Sequence, residues 1–281
     1  MDCQLKSVTN YLAKLIFGVL LSVLTVQSGW SAPAAELWPK WNTSNESSTQ
    51  SIDHAPWADL LKQYVKLTGT PTVTRFDYAA VTSSDKARLD DYVLRLQGTP
   101  ILDFNKAEQI AYWINLYNAV TVKLILDHFP VTSIRDIKFG FFSFGPWNEK
   151  LVTVDGDPLS LNDIEHRILR PIWQDNRIHY AVNCASVGCP NLAPQPYTVQ
   201  NTESLLEQGA RDYVNHQRGV HFDGQDLVLS SIYDWYQIDF GNSDAGVIEH
   251  LRQYADPELE SRLPGHKGDI DYDYNWKLNS P

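Results

Sequence analysis

"KAEQIAYWINLYNAVTVKLILDHFP", residues 106–130, decides the fold. Apolar residues fall on most of the circumference of the helix it would form, so the spacing predicts a central buried helix and not a surface one. Pro130 ends it. Toward the N-terminus, "APWADLLKQYVKL" (55–67) reads as a helix capped by Asp53 and stopped by Gly69 to Pro71. Asp85 to Leu96 reads as another, capped by Ser83 or Ser84. Toward the C-terminus, Asp155-Gly156 joins two short strands in a hairpin. Ser160 and Asp163 form a capping box for a helix from Leu161 to about Leu169. "RIHYAVN" (177–183) reads as a strand, and a helix is expected near 203–216. A hairpin through Asp223-Gly224, a helix around "SIYDWYQIDF" (231–240), a helix near 244–255 and a strand "IDYDYNWKL" (270–278) follow. Helices interleaved with hairpins predict one α+β (or α/β) domain, its long helix packed on a mixed or largely antiparallel sheet.

The 281 residues carry a formal net charge of −11. Such a chain repels phosphate backbones and anionic lipid, which argues against nucleic-acid and membrane-surface partners. Lys6 and Lys14 precede an apolar run from Leu15 to Val26, and Ala32-Pro33-Ala34 offers small residues for cleavage. That is the layout of a secretory signal peptide over residues 1–34, with an apolar run too short to span a bilayer comfortably. The expectation is a periplasmic or secreted protein with no stable membrane insertion once the signal is removed. Left uncut, the run would act as an anchor. Residues 35–54, with the polar "NTSNESSTQS" (42–51), read as a flexible linker, and Asn42 and Asn45 sit in glycosylation sequons. The globular domain is expected over 55–281. Losing Cys3 with the signal leaves two cysteines in a compartment where disulfides persist.

Polar residues stand where apolar ones are expected at two places. Glu108, Asn115 and Asn118 fall on one side of the long helix. Each would cost about 1–3 kcal/mol if buried unpaired, so they either organise loop backbone or floor a site. On the 161–169 helix, Glu165 projects from the apolar face and His166 lies at its edge, so Glu165 sits in an internal ion pair or in a site. Asp269, Asp271 and Asp273 share one strand face. Tyr274 occupies the sixth position of the would-be calcium loop, where glycine is required, so a solvated face is expected.

"NCASVGCP" (183–190) holds Cys184 and Cys189 and admits four readings. A disulfide staple would gain about 2 kcal/mol from so small a loop. A redox pair is conceivable, although the spacing departs from C-x-x-C. A zinc site could draw on Cys184, Cys189, His179 and His166 but lacks a second ligand pair. In the fourth reading Cys184 is a nucleophile, with His166, or else His179 or His221, as base. Backbone N–H groups of Ala185 to Gly188 would then stabilise an oxyanion. Papain-like enzymes place the nucleophile at the start of a long helix, whereas Pro190 closes this loop.

"YWINLYNAVTV" (112–122), "LSLNDIEHRILR" (159–170), "HYAVNCASVGCP" (179–190) and "YDYNWKLN" (272–279) resemble the domain-of-unknown-function family 547, in that family's order. The resemblance implies that Glu108, Asn115, Asn118, Glu165, His166 and Cys184 belong to the family's motif core. It implies no defined activity. The resulting expectation is a thiol hydrolase or acyltransferase acting on envelope or extracellular amides or esters. A non-catalytic domain with a Cys184–Cys189 disulfide and a thiol–disulfide redox protein are the alternatives. The catalytic set would be Cys184, His166, Glu165, Asn115, Asn118, Glu108 and His179, with no cofactor and no metal, and the ligand an unidentified small molecule or peptide. Cys184 should lie within hydrogen-bonding reach, or one water, of a histidine, His166 before His179, with Glu165 or Asn115 behind the ring.

Overall fold

The computed structural model describes residues 32–69, 72–140, 145–266 and 268–281. The signal segment expected from the sequence lies, up to Ser31, outside the described residues. Helix α1 (Ala55–Tyr64) buries Trp57, Leu60, Leu61 and Tyr64, the spacing of one helical face. It stops short of the expected Leu67 because Val65–Thr68 (β1) pairs antiparallel with Val73–Phe76 (β2). Helix α2 (Ser83–Gln97) is capped by the Thr82 hydroxyl, one residue before the expected serines. Helix α3 (Lys106–His128) starts at Asn105, whose side chain accepts the Glu108 N–H, and every residue from Glu108 to Val122 is buried.

Beyond α3, Val152–Val154 (β3) and Asp157–Leu159 (β4) form the expected hairpin. Asp155 and Gly156 both take positive φ there, as a two-residue turn between twisted strands requires. The Ser160–Asp163 capping box opens a helical stretch with three parts. A single turn, α4 (Leu161–Asp163), passes into a π-helical segment (Ile164–Leu169) and then into α5 (Arg170–Trp173).

The expected strand over 177–183 is absent. Asn176–Tyr180 is a 3-10 turn opened by the Asp175 side chain, which accepts the Arg177 N–H. The Asn118 side chain takes the Ala181 carbonyl and the Asn183 N–H, at 2.9 and 2.8 Å, in place of a neighbouring strand. Helix α6 (Thr202–Val214), the hairpin β5 (Val220–Asp223) and β6 (Asp226–Ser230), and α7 (Ile232–Trp235) come next. The chain closes with α8 (Asp244–Tyr254), α9 (Pro257–Arg262) and β7 (Ile270–Asp273), which runs parallel to β6.

The class is α+β, and among the described residues the strands divide into two hairpins and one three-stranded sheet. Helix α3 packs chiefly on α2 and the π segment, not on one continuous sheet as expected. Two apolar clusters form the interior. One surrounds α1, α2, α3 and the π segment; the other lies between α6, α8 and the three-stranded sheet. Residues 35–54, expected to be a flexible linker, are docked on the first cluster. Trp41 is 1% exposed and meets Trp113 edge-on at 5.1 Å. Gln109 and Asn105 donate to the Thr43 and Ser48 carbonyls. The buried indole and these hydrogen bonds together hold a stretch whose polar composition alone would leave it without a core. Among the described residues no helix is long and apolar enough to cross a membrane.

Candidate functional site

The cysteine loop lies where the two clusters meet. Tyr180 belongs to one cluster, and Ala181, Val182 and Ala185 to the other. Asn183 shapes the loop from within: its carbonyl oxygen accepts the Ala185 N–H at 2.9 Å and its amide donates to the Pro190 carbonyl at 2.7 Å. Ala185 sits at φ +59°, a left-handed conformation that costs an L-residue about 1–2 kcal/mol. It is held there by the Asn279 N–H, which donates to the Ala185 carbonyl at 3.0 Å. The C-terminal segment continues the stitching, since the Val187 and Gly188 N–H groups donate to the Lys277 and Asn275 carbonyls, each at 2.8 Å. Glycine at 188 lets the two segments approach, because a Cβ there would stand 2.8 Å from the Asn275 nitrogen and force one of them to shift.

The two thiols are free, and their surroundings differ. Cys184 is half-buried; its sulfur lies 3.0 Å from the Ser186 hydroxyl and 3.1 Å from the Tyr274 hydroxyl. Burial pushes the Cys184 thiol up. Hydrogen bonds from Cys189, from the Ser186 and Tyr274 hydroxyls and from the Ser186 backbone outweigh that, and hold it below the ordinary thiol value. Cys189 is buried and accepts the Cys184 N–H at 2.8 Å. Burial raises its thiol well above the ordinary value, and the neighbouring Cys184 raises it further.

A second polar cluster is built on the π segment. The Tyr117 hydroxyl donates to Glu165 Oε2 at 3.2 Å, and Tyr236 also bonds this carboxylate. Glu165 Oε1 stands 3.9 Å from His166 Nδ1 and 3.8 Å from His179 Nδ1. Arg170 donates to His166 Nδ1 at 3.0 Å and to Asp239 Oδ2 at 2.6 Å, and His179 Nε2 reaches the same Asp239 oxygen at 2.7 Å. Burial lowers His166 to about 4, so its ring is neutral at neutral pH and free to accept from Arg170. Burial pushes Asp239 up, but His179 and Arg170 outweigh it and hold the carboxyl below the usual range. Widened π turns release carbonyls from the helical ladder. Those of His166 and Arg167 are taken by the Glu36 and Trp38 N–H groups, at 2.9 and 3.2 Å.

The expected site residues therefore separate. Glu108 accepts the Ile52 N–H at 2.7 Å and pins the N-terminal segment. Asn115 closes a two-way bond with the Tyr197 backbone, at 2.7 and 3.0 Å. Asn118 alone of the three supports the cysteine loop directly. Glu165, His166 and His179 come together, as a charge cluster completed by Arg170 and Asp239. A Cys184–histidine bond is absent from the hydrogen bonds of the described residues: the sulfur is bonded by hydroxyls, while His166 Nδ1 bonds Arg170 and His179 Nε2 bonds Asp239. His221 is exposed on β5 and contacts the Gln217 carbonyl. The expected oxyanion donors are also committed, Ala185, Val187 and Gly188 to carbonyls and Ser186 to the Cys184 sulfur. Among the described residues, no group of three or more His, Cys, Asp or Glu side chains could hold a metal ion.

Sequence reasoning missed Ser186, Tyr274, Tyr236, Arg170 and Asp239. Ser186 stands inside "NCASVGCP" and Tyr274 inside the closing "YDYNWKLN", so a search for hydroxyls near the thiol would have found both. Asp239 carried no signal.

Tyr117 joins the two clusters through α3: its hydroxyl bonds Glu165, while the next residue, Asn118, holds the backbone that leads into Cys184. No curated protein and no solved structure matches the chain. Residues 101–214 match the family described as "Protein of unknown function, DUF547". That span takes in α3, the π segment and the cysteine loop, and leaves out the closing "YDYNWKLN". Over residues 101–214, the chain resembles that family of unknown function.

Proposed function

We propose that the chain is an exported dithiol protein in which Cys184 exchanges with disulfides and Cys189 resolves the product. The observation that carries this reading is the asymmetry of the pair. One thiol belongs to a half-buried residue and has its anion stabilised by hydrogen bonds; the other is buried, raised well above the ordinary thiol value, and accepts the first residue's N–H. The Cys184 thiolate attacks one sulfur of a substrate disulfide, and the other sulfur leaves as a thiolate. Cys189 then loses its proton and attacks the Cys184 sulfur, releasing the second substrate thiol and leaving a Cys184–Cys189 disulfide. Two electrons and the Cys189 proton pass to the substrate, whose first sulfur takes its proton from water, and a dithiol donor restores the pair. Amide or ester hydrolysis fits less well. It calls for a base at the sulfur and free oxyanion donors, and here the imidazoles and the loop N–H groups have other partners. Export rests on the signal layout alone, and sequencing the N-terminus of the exported fraction tests it: an intact Met1 there would refute cleavage.

The full chain is assayed with iodoacetamide and with 5,5′-dithiobis(2-nitrobenzoate). Cys184→Ser should abolish rapid modification. Cys189→Ser should trap a mixed disulfide on Cys184 that the parent chain resolves. Ser186→Ala removes one donor to the thiolate and should move the midpoint of the alkylation–pH profile upward while leaving the fold intact. Cys184-dependent turnover of amides or esters, without a trapped mixed disulfide, would overturn the reading in favour of a hydrolase.

A further inference from the structure

On the π segment and just beyond it, arginines are answered by carboxylates: Arg167 by Glu36, Arg170 by Asp239 and Arg177 by Asp175. Arg75 and Arg218 are not. Among the described residues neither forms an ion pair, and the Arg75 side chain takes no hydrogen bond. Arg75 lies on β2 opposite Lys66, so a second cation faces it across the hairpin. Arg218 lies in the turn between α6 and β5. Its Nη2 donates to Asn191 Oδ1 at 2.6 Å and its Nη1 reaches the Val187 carbonyl only at 3.5 Å. Its Nε is buried with no partner among the described residues.

Asn191 ties this guanidinium to the strand that carries Arg75. The same Oδ1 accepts the Thr74 N–H at 3.0 Å, and the Asn191 amide donates to the Thr72 carbonyl at 3.2 Å. The Arg218 N–H donates to His216 Nδ1 at 3.0 Å, so the neutral imidazole carries its proton on Nε2. Burial lowers His216, and the Arg218 and Arg75 charges beside the ring lower it further. Burial lowers Arg218 too, and Arg75 pushes in the same direction. All three residues are half-buried, within reach of solvent. Two such cations repel, and sheltered N–H groups without acceptors cost stability. A bound oxyanion would relieve both.

We infer that Arg75, His216 and Arg218 form a binding site for a doubly charged oxyanion: inorganic phosphate, or the phosphate group of a larger molecule. Two guanidiniums match the charge of the dianion, and their planar N–H forks match its oxygens. The His216 Nε2–H supplies a neutral third donor. The site goes beyond the thiol reading and does not depend on it, because the hydrogen bonds of the Cys184 and Cys189 sulfurs involve none of these three residues.

The full chain is titrated with inorganic phosphate and with phenyl phosphate by isothermal calorimetry at fixed ionic strength, with chloride as the reference anion. Phosphate should bind saturably and raise the Tm. Equal or tighter binding of phenyl phosphate assigns the site to a phosphate group on a larger molecule; binding of inorganic phosphate alone assigns it to the free ion. Arg218→Gln should weaken phosphate binding by about tenfold, the effect of losing a charged hydrogen bond. Arg75→Gln carries the test if that variant fails to fold, since it removes no hydrogen bond. It should weaken phosphate by about tenfold as well, while its Tm without phosphate equals or exceeds that of the parent. No saturable phosphate binding above chloride, or an Arg75→Gln chain that binds phosphate as the parent does, would overturn the site. A Tm that falls equally with and without phosphate would make Arg75 structural and overturn it too.

Discussion

In the cysteine loop, Ala185 is left-handed and residues 275–279 take up the backbone groups around it; in the π segment, the ladder widens and Glu36 and Trp38 take the released carbonyls. Both are irregular backbones stitched to a remote part of the chain. They differ in what the stitching leaves over. Around Cys184 the donors converge on one sulfur of a half-buried residue. Around Glu165 the charges close on one another, with Arg170 and His179 sharing Asp239 and His166 held neutral. A cluster of ionisable residues is therefore a poor guide to chemistry until the partners are counted.

Three measurements can break or sharpen this contrast. The largest effect should come from acid. His54, His166 and His250 are each lowered by burial to about 4. Between that value and the unfolded pKa of about 6.5, the unfolded chain binds more protons than the folded one. Stability should thus be full above about pH 6.5 and fall as pH drops toward 4, by on the order of 3 kcal/mol per histidine. Thermal melts followed by circular dichroism from pH 7 to 4 read this directly, and a flat Tm would contradict the closed cluster. Next, Asp239→Ala strands Arg170, whose side chain is 3% exposed, and should cost about 3–5 kcal/mol in urea unfolding. The alkylation rate of the folded variant should hold at the parent value; a large fall would mean that the two clusters work as one site. The smallest effect belongs to Gly188→Ala. The new methyl presses on Asn275 and Tyr274, costs about 1–3 kcal/mol, and should slow Cys184 by displacing the Tyr274 hydroxyl.

Local chemistry made much of this fold legible. The buried helix, the Asp155-Gly156 turn and the Ser160–Asp163 box each follow from a few adjacent residues, and each is present. The 177–183 segment misled because its apolar alternation suits a strand, while its actual partner is a single asparagine side chain arriving from α3. Trp41 misled in the opposite direction: a polar stretch hid one indole whose burial docks the whole segment. At the site, the sequence singled out the cysteine loop and the Glu165 carboxylate, and the structure gives each a set of polar partners. The sequence could not reveal that Asp239 would reach His179 and Arg170 from a distant turn.

Asn279 has one further consequence. Its N–H fixes Ala185, its carbonyl accepts the Phe76 N–H and its side chain accepts the Tyr78 hydroxyl. A growing chain exposes the cysteines long before it exposes this asparagine. The loop therefore cannot take its final shape on the ribosome until residue 279 has emerged. Until then Cys184 and Cys189 are two ordinary thiols on a nascent polypeptide, open to whatever oxidant or folding helper meets them first.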